Sequence, residues 1–176
     1  TKTWTDDNNQ DGKRPVSITI NLLKNGTKAD SKVVTAADNW SWNFTDLDEY
    51  ENGQKIVYTI TEEDVAGYTS KVNGYNVENI HTPEKTEVSG SKTWDDSENQ
   101  DGKRPASITI HLLANGTEVE SKTVTAADNW SWKFENLDKY KEGSKITYTI
   151  TEDTVENYST EVKGYNVTNS YTPGKV

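Results

Sequence analysis

The sequence predicts an all-β chain of two tandem sandwich domains, each of about seven strands. A chain-long internal repeat, strand-type alternation within each repeat, and turn residues between the alternating runs all predict it. Sliding the chain by 90 residues sets Lys2 on Lys92, Trp4 on Trp94, Asp11 on Asp101, Glu62 on Glu152 and Asn79 on Asn169. About 54 of 86 aligned positions are then identical without a gap, which marks one structural unit written twice. The expected domains are residues 1–85 and 86–176. They join at "HTPEKTEV", where Pro83 and the charged residues after it predict a short, stiff connection.

Within the second repeat the period is two throughout. "VSGSKTW" puts Val88, Gly90, Lys92 and Trp94 on one face. "SITIHLL" aligns Ile108, Ile110 and Leu112, and "ANGT" then supplies the Asn-Gly pair that closes hairpins. "EVESKTVT" reads as the return strand. "NWSWKF" aligns Trp130, Trp132 and Phe134, "KITYTITE" aligns Ile146, Tyr148, Ile150 and Glu152, and "GYNVTNSY" aligns Tyr165, Val167, Asn169 and Tyr171. With the short run "NYSTEV" this makes about seven strands per repeat, the number expected of an immunoglobulin-like sandwich. No segment carries a helical stripe.

Composition narrows the function classes. A net charge of −10 and a pI near 4.7 argue against nucleic acid and anionic membrane as partners, which would repel the chain. No apolar run approaches the roughly 20 residues that a helical membrane span needs, so no membrane insertion is expected of this stretch. No signal peptide or sorting signal is visible, so the chain reads as a piece of a longer protein. The absence of cysteine excludes disulfides, thiol catalysis and Cys-ligated metals. Small domains outside a cell often need a covalent or metal staple, and any staple in this chain must be of another kind.

Parity singles out three polar residues per repeat. Lys92 shares its face with Val88 and Trp94, Glu152 with Ile146, Tyr148 and Ile150, and Asn169 with Tyr165 and Val167. Lys2, Glu62 and Asn79 repeat the pattern. One reading is structural: a hydrogen-bonded polar trio, or strand ends where these groups reach water. The other is chemical. Desolvation favours a neutral, nucleophilic amine, and it keeps a buried glutamate protonated. Such an acid could hydrogen-bond the carboxamide oxygen, polarise its carbon and shuttle protons to the leaving group. Amine and carboxamide would then fuse to an amide with loss of ammonia, once per domain and without turnover. The other lysines fit less well: Lys13 and Lys103 lie in polar loops, Lys55 and Lys145 point off the apolar face, and Lys85 and Lys175 follow the Thr-Pro ends.

The stretches "KTW", "NQDGKRP-SITI-LL-NGT", "ADNWSW-F", "KI-YTITE" and "YNVTNSYTP" resemble Cna B-type domains, the B repeats of Gram-positive collagen adhesins, over nearly the whole of both repeats. The resemblance implies a reversed-immunoglobulin or prealbumin-like sandwich. It further implies stalk repeats on the cell surface, adjoining other domains of one cell-wall-anchored protein whose separate head binds a host matrix ligand. It also implies a self-formed Lys–Asn isopeptide bond between first and last strands, assisted by an acid. Carried over, that gives Lys2–Asn79 with Glu62 and Lys92–Asn169 with Glu152. The "VSG" before Lys92 has no counterpart before Lys2, so the first strand of repeat one is expected to be short.

The remaining signals are weaker. "DNNQDG" opens like a calcium loop, but Ile18 stands where the closing glutamate belongs, and Pro15 precedes it. His81 and His111 occupy unmatched positions, which argues against a shared metal or catalytic role. No cofactor is expected, and no second constellation supports an enzyme. A module that grips a host protein or glycan through loops or exposed aromatics is the alternative function. It would require an aromatic surface patch, whereas the shared parity of Trp130, Trp132 and Phe134 favours core packing.

Overall fold

The computed structural model describes all 176 residues, Thr1–Val176. The chain divides into a unit built on Thr1–Glu84 and a unit built on Lys85–Lys139 and Lys145–Val176. The first repeat holds β1 (Lys2–Thr5), β2 (Ser17–Lys24), β3 (Thr27–Thr35), β4 (Tyr50–Glu51), β5 (Gln54–Lys55), β6 (Tyr58–Glu62), β7 (Thr69–Asn73) and β8 (Asn76–Ile80). The second holds β9 (Lys85–Asp95), β10 (Ser107–Ala114), β11 (Thr117–Thr125), β12 (Ser131–Asp138), β13 (Tyr140–Lys141), β14 (Ser144–Lys145), β15 (Tyr148–Glu152), β16 (Ser159–Lys163) and β17 (Asn166–Ser170). Eight and nine strands thus stand where about seven were expected. The excess comes from the hairpins β4–β5 and β13–β14, whose two-residue strands are too short to alternate visibly.

Two sheets build the second sandwich, in the orders β12-β9-β17-β16 and β11-β10-β15. Val88, Trp132, Phe134 and Val167 from one sheet meet Ile108, Ile110, Leu112, Val124 and Ile150 from the other in a single core. Each core residue sits on the alternating face of its strand, the period-2 pattern of a half-buried sheet. The hairpin from β10 to β11 turns on Asn115 and Gly116, both at positive φ, so the Asn-Gly pair sets the register Ala114↔Thr117. Asn25 and Gly26 do the same between β2 and β3.

The first and last long strands of each unit lie side by side and parallel. In unit two β9 pairs with β17 in the register Lys92↔Val167 and Asn169↔Trp94; in unit one β1 pairs with β8, Lys2↔Val77 and Trp4↔Asn79. Residues paired across a ladder share a face. Lys92, Trp94, Val167 and Asn169 therefore all point inward.

Two details depart from the sequence reading. Trp130 lies outside the strand that follows it, at φ +52°, a left-handed conformation uncommon for a bulky residue. Its ring stands edge-on to Trp94 at 5.1 Å, and its carbonyl accepts the Lys92 N–H at 2.8 Å. Tyr165 and Tyr75 are exposed at the turns into β17 and β8, off the inward row.

β1 spans four residues and β9 eleven. The additional length of β9 lies beside β12, with Trp132↔Gly90 and Phe134↔Val88. Only glycine fits at position 90, because a Cβ there would come within 1.7 Å of the Tyr165 carbonyl oxygen and 2.9 Å of Trp132 Nε1. Gly90→Ala is expected to destabilise unit two by about 1–3 kcal/mol through this overlap. Urea unfolding followed by tryptophan fluorescence measures it.

Candidate functional site

All six residues singled out by parity converge, three in each unit. In unit two β9 presents Lys92 and β17 presents Asn169 from one sheet, while Glu152 at the end of β15 reaches across from the facing sheet. Lys92 Nζ lies 3.1 Å from Glu152 Oε2, and both side chains are fully buried, at 0% exposure. Asn169, also at 0%, donates from Nδ2 to Glu152 Oε1 at 2.8 Å. Unit one repeats the arrangement: Lys2 Nζ stands 3.0 Å from Glu62 Oε2, and Asn79 Nδ2 donates to Glu62 Oε1 at 2.7 Å. One carboxyl thus touches the amine with one oxygen and the carboxamide with the other. This differs from the sequence expectation that the acid would hold the carboxamide oxygen.

The pocket is closed to bulk solvent and incompletely satisfied. Nζ of each lysine, Oε2 of each glutamate and Oδ1 of each asparagine are buried without a well-directed hydrogen bond. The amine–carboxyl contact is therefore close but poorly aligned. A buried, imperfectly paired ion pair is a costly arrangement, because desolvation of both charges outweighs much of their attraction. Burial pushes the Lys2 and Lys92 amines below their ordinary range, against the opposing pull of Glu62 and Glu152. The indole of the tryptophan two residues on forms one wall, its ring centre 4.3 Å from Nζ in both units.

Parity missed the residues that hold the carboxyl and the amide in place. Ser70 Oγ donates to Glu62 Oε1 and accepts from Asn79 Nδ2 at 2.7 Å. Thr160 Oγ1 serves Glu152 and Asn169 in the same way, at 3.1 and 2.9 Å. Both hydroxyls sit directly across the ladder from the asparagine, Ser70↔Asn79 and Thr160↔Asn169. Counting back from the "NGYN" and "KGYN" turns would have found them.

A second buried cluster also escaped the sequence reading. Asp96, 2% exposed, accepts from Arg104 Nε and Nη2 at 3.0 and 2.6 Å, from the Tyr158 hydroxyl at 2.7 Å and from the Asn99 N–H at 3.0 Å. Asp6, Arg14, Tyr68 and Asn9 match it in unit one. This network organises the "DNNQDG" region and its counterpart in unit two. Each arginine also lies over the tryptophan that walls the lysine pocket. Asp11 accepts from the Glu84 N–H and pairs at 2.8 Å with His81, the position where Tyr171 meets Asp101 in unit two.

A family model described as the Cna protein B-type domain matches residues 1–80 and again 88–170. The chain belongs to the Cna B-type domain family. It is 46% identical over 183 aligned residues to a collagen adhesin of Staphylococcus aureus, with 99% of this chain and 15% of that protein aligned. The crystal structure of two B repeat units of the S. aureus collagen binding protein superposes with a TM-score of 0.82 at 45% identity, covering 99% of this chain and 48% of that one. A single B repeat unit of the same protein gives 0.50 at 40% identity, covering 98% and 96%. These matches agree with the tandem immunoglobulin-like sandwiches expected from the strand pattern. This chain spans about a seventh of the adhesin's length and about half of the two-repeat structure.

Arg104 first, then Tyr158 and the Asn99 N–H, hold the Asp96 carboxyl down at about 2 against the opposing effect of burial. A carboxylate with a depressed folded-state value contributes stability above its unfolded value near 3.8 and loses it as pH falls towards 2. Unit two is therefore expected to lose roughly 2 kcal/mol from this group between about pH 4 and pH 2. In Asp96→Asn that loss should already be present at neutral pH, and the acid slope should flatten; urea titrations across the pH range measure both.

Proposed function

We propose that this chain is a two-unit segment of the stalk of a bacterial surface adhesin, and that each unit locks itself with an amide between lysine and asparagine. The observation that carries this reading is the buried contact of one carboxyl with an amine on the first strand and a carboxamide on the last. The trio occurs twice with matching distances. The family membership supports the stalk reading, since the relatives are repeats of a collagen adhesin.

The proposed chemistry follows the contacts. Burial favours the neutral amine, and Glu152 Oε2, 3.1 Å away, is placed to take the proton that Lys92 Nζ gives up. Nζ then attacks Cγ of Asn169, forming the new C–N bond. Oε1, 2.8 Å from Nδ2, is placed to return a proton to the departing nitrogen, which leaves as ammonia. Each unit thus loses one ammonia, gains one amide, and keeps its glutamate as a neutral acid. Thr160 steadies both the carboxyl and the amide. Lys2, Glu62, Asn79 and Ser70 follow the same scheme in unit one. The reaction runs once, because its product is part of the fold.

The mechanical consequence comes from topology. β9 and β17 are adjacent and parallel, so tension entering at the start of β9 and leaving after β17 would cross directly from Lys92 to Asn169. The strands between them would bear little of it. For a loop of nearly a whole repeat, a disulfide would add about 4–5 kcal/mol in the chain-entropy model, and an amide closure belongs to the same class. The partners on this reading are neighbouring domains of the same polypeptide, outside the cell, while ligand recognition lies elsewhere in the protein.

Intact mass spectrometry tests the proposal. The expected mass is the sequence mass less two ammonias. Lys92→Ala and Glu152→Gln should each restore one, leaving the other unit closed. A native protein at full sequence mass would overturn the cross-link while leaving the fold intact.

A further inference from the structure

Four asparagines in the chain precede a glycine: Asn25, Asn52, Asn73 and Asn115. All four are exposed, and a Cβ built on the following glycine would meet open space in every case. They differ in how the side chain is held. Asn25 is clamped twice to Val57: its N–H donates to the Val57 carbonyl at 2.8 Å, and its Oδ1 accepts the Val57 N–H at 2.9 Å. Asn115 is clamped to Thr147 by the same two bonds at the same lengths. No hydrogen bond holds the side chain of Asn52 or Asn73. The frames differ too. Asn25 and Asn115 turn hairpins of eight register pairs, whereas Asn52 turns one of two, and Asn73 ends β7, which is exposed along its length.

We propose that Asn52 and Asn73 are sites of spontaneous covalent modification, converting to aspartate and isoaspartate, while the fold protects Asn25 and Asn115. In this reaction the amide nitrogen of the following glycine gives its proton to solvent and attacks Cγ of the asparagine. A C–N bond forms, the Cγ–Nδ2 bond breaks, and Nδ2 takes up a proton and leaves as ammonia. Water then adds to one of the two carbonyls of the resulting succinimide ring and opens it. Opening on one side gives aspartate; on the other it gives isoaspartate, whose main chain runs through the former side-chain carbon. Glycine favours the step because no Cβ obstructs ring closure. The carboxamide must swing over the glycine nitrogen, a near-attack geometry that only a mobile side chain reaches. A clamp through Oδ1 opposes that rotation until its hydrogen bond breaks.

The consequence falls on unit one alone. The positions matching Asn52 and Asn73 are Glu142 and Lys163, so unit two keeps one Asn-Gly pair, the clamped one. Conversion at Asn52 adds a negative charge next to Glu51, which pairs with Lys24 at 2.9 Å. Conversion at Asn73 matters more. Asn73↔Asn76 closes the β7–β8 turn, and the same ladder sets Ser70 across from Asn79. Isoaspartate there lengthens the main chain at the turn and would shift this register. The inference is independent of the proposed lysine–asparagine amide, which draws on Asn79 and Asn169, followed by isoleucine and serine.

Peptide mapping by mass spectrometry of the full chain, aged in mildly alkaline buffer, tests the assignment. The Asn52 and Asn73 peptides are expected to gain about one dalton each and to split into aspartate and isoaspartate forms. Conversion at Asn25 and Asn115 is expected to be at least about fivefold slower, since a hydrogen bond must first break. Peptides from a chain digested before ageing give the reference, and in them all four sites should convert at similar rates. Equal rates at the four sites of the folded chain would overturn the proposal. So would survival of Asn52 or Asn73 at the rate of the clamped pair. A difference that persists in the free peptides would assign the effect to neighbouring residues and overturn it as well.

Discussion

The contact on which each unit depends is that of a glutamate, reaching from one sheet, with a lysine and an asparagine on the other. It joins the two layers of the sandwich at a point closed to bulk solvent. A lysine and a glutamate at no exposure would ordinarily be a poor investment, because desolvation cancels much of the attraction between them. The surroundings are arranged around that cost. An indole covers the amine, a ladder-paired hydroxyl holds the carboxyl and carboxamide, and an arginine braced by a buried aspartate also lies over the indole. Conversion of the pair to a neutral amide would remove the charge and leave the geometry as it is.

Topology makes that contact useful. Adjacency of the first and last strands is a consequence of the fold, and the parallel register places lysine and asparagine one side-chain repeat apart on the same face. Both groups touch one carboxyl, so on the proposed reading fixed proximity would supply much of the rate. The duplicated chain also provides an internal control. Matching side chains form a paired strand at Ser131–Asp138 in one unit and an unpaired segment at Ser41–Thr45 in the other.

Much of this was legible in the sequence, for identifiable reasons. Strict alternation placed Lys92, Glu152 and Asn169 on inward faces, and the structure brings all three together. The Asn-Gly pairs marked their hairpins because those turns need positive φ at both central residues. What stayed hidden is non-local. Asp96, Arg104 and Tyr158 come from three separate segments with no shared period, and His81 meets Asp11 only after the chain has folded. Thr160 was within reach, since its register follows from the turn, but its strand is exposed along its length and gives no inward signal. Trp130 misled because alternation extends formally through a residue that has turned left-handed.

Nitrogen-15 NMR of protein labelled at the lysine side-chain nitrogen tests the central claim most directly, since it observes the reacting atom. The account predicts two secondary-amide N–H signals, one from Lys2 and one from Lys92, distinct from those of the remaining lysines. Every lysine nitrogen appearing as an ammonium or free amine would contradict it.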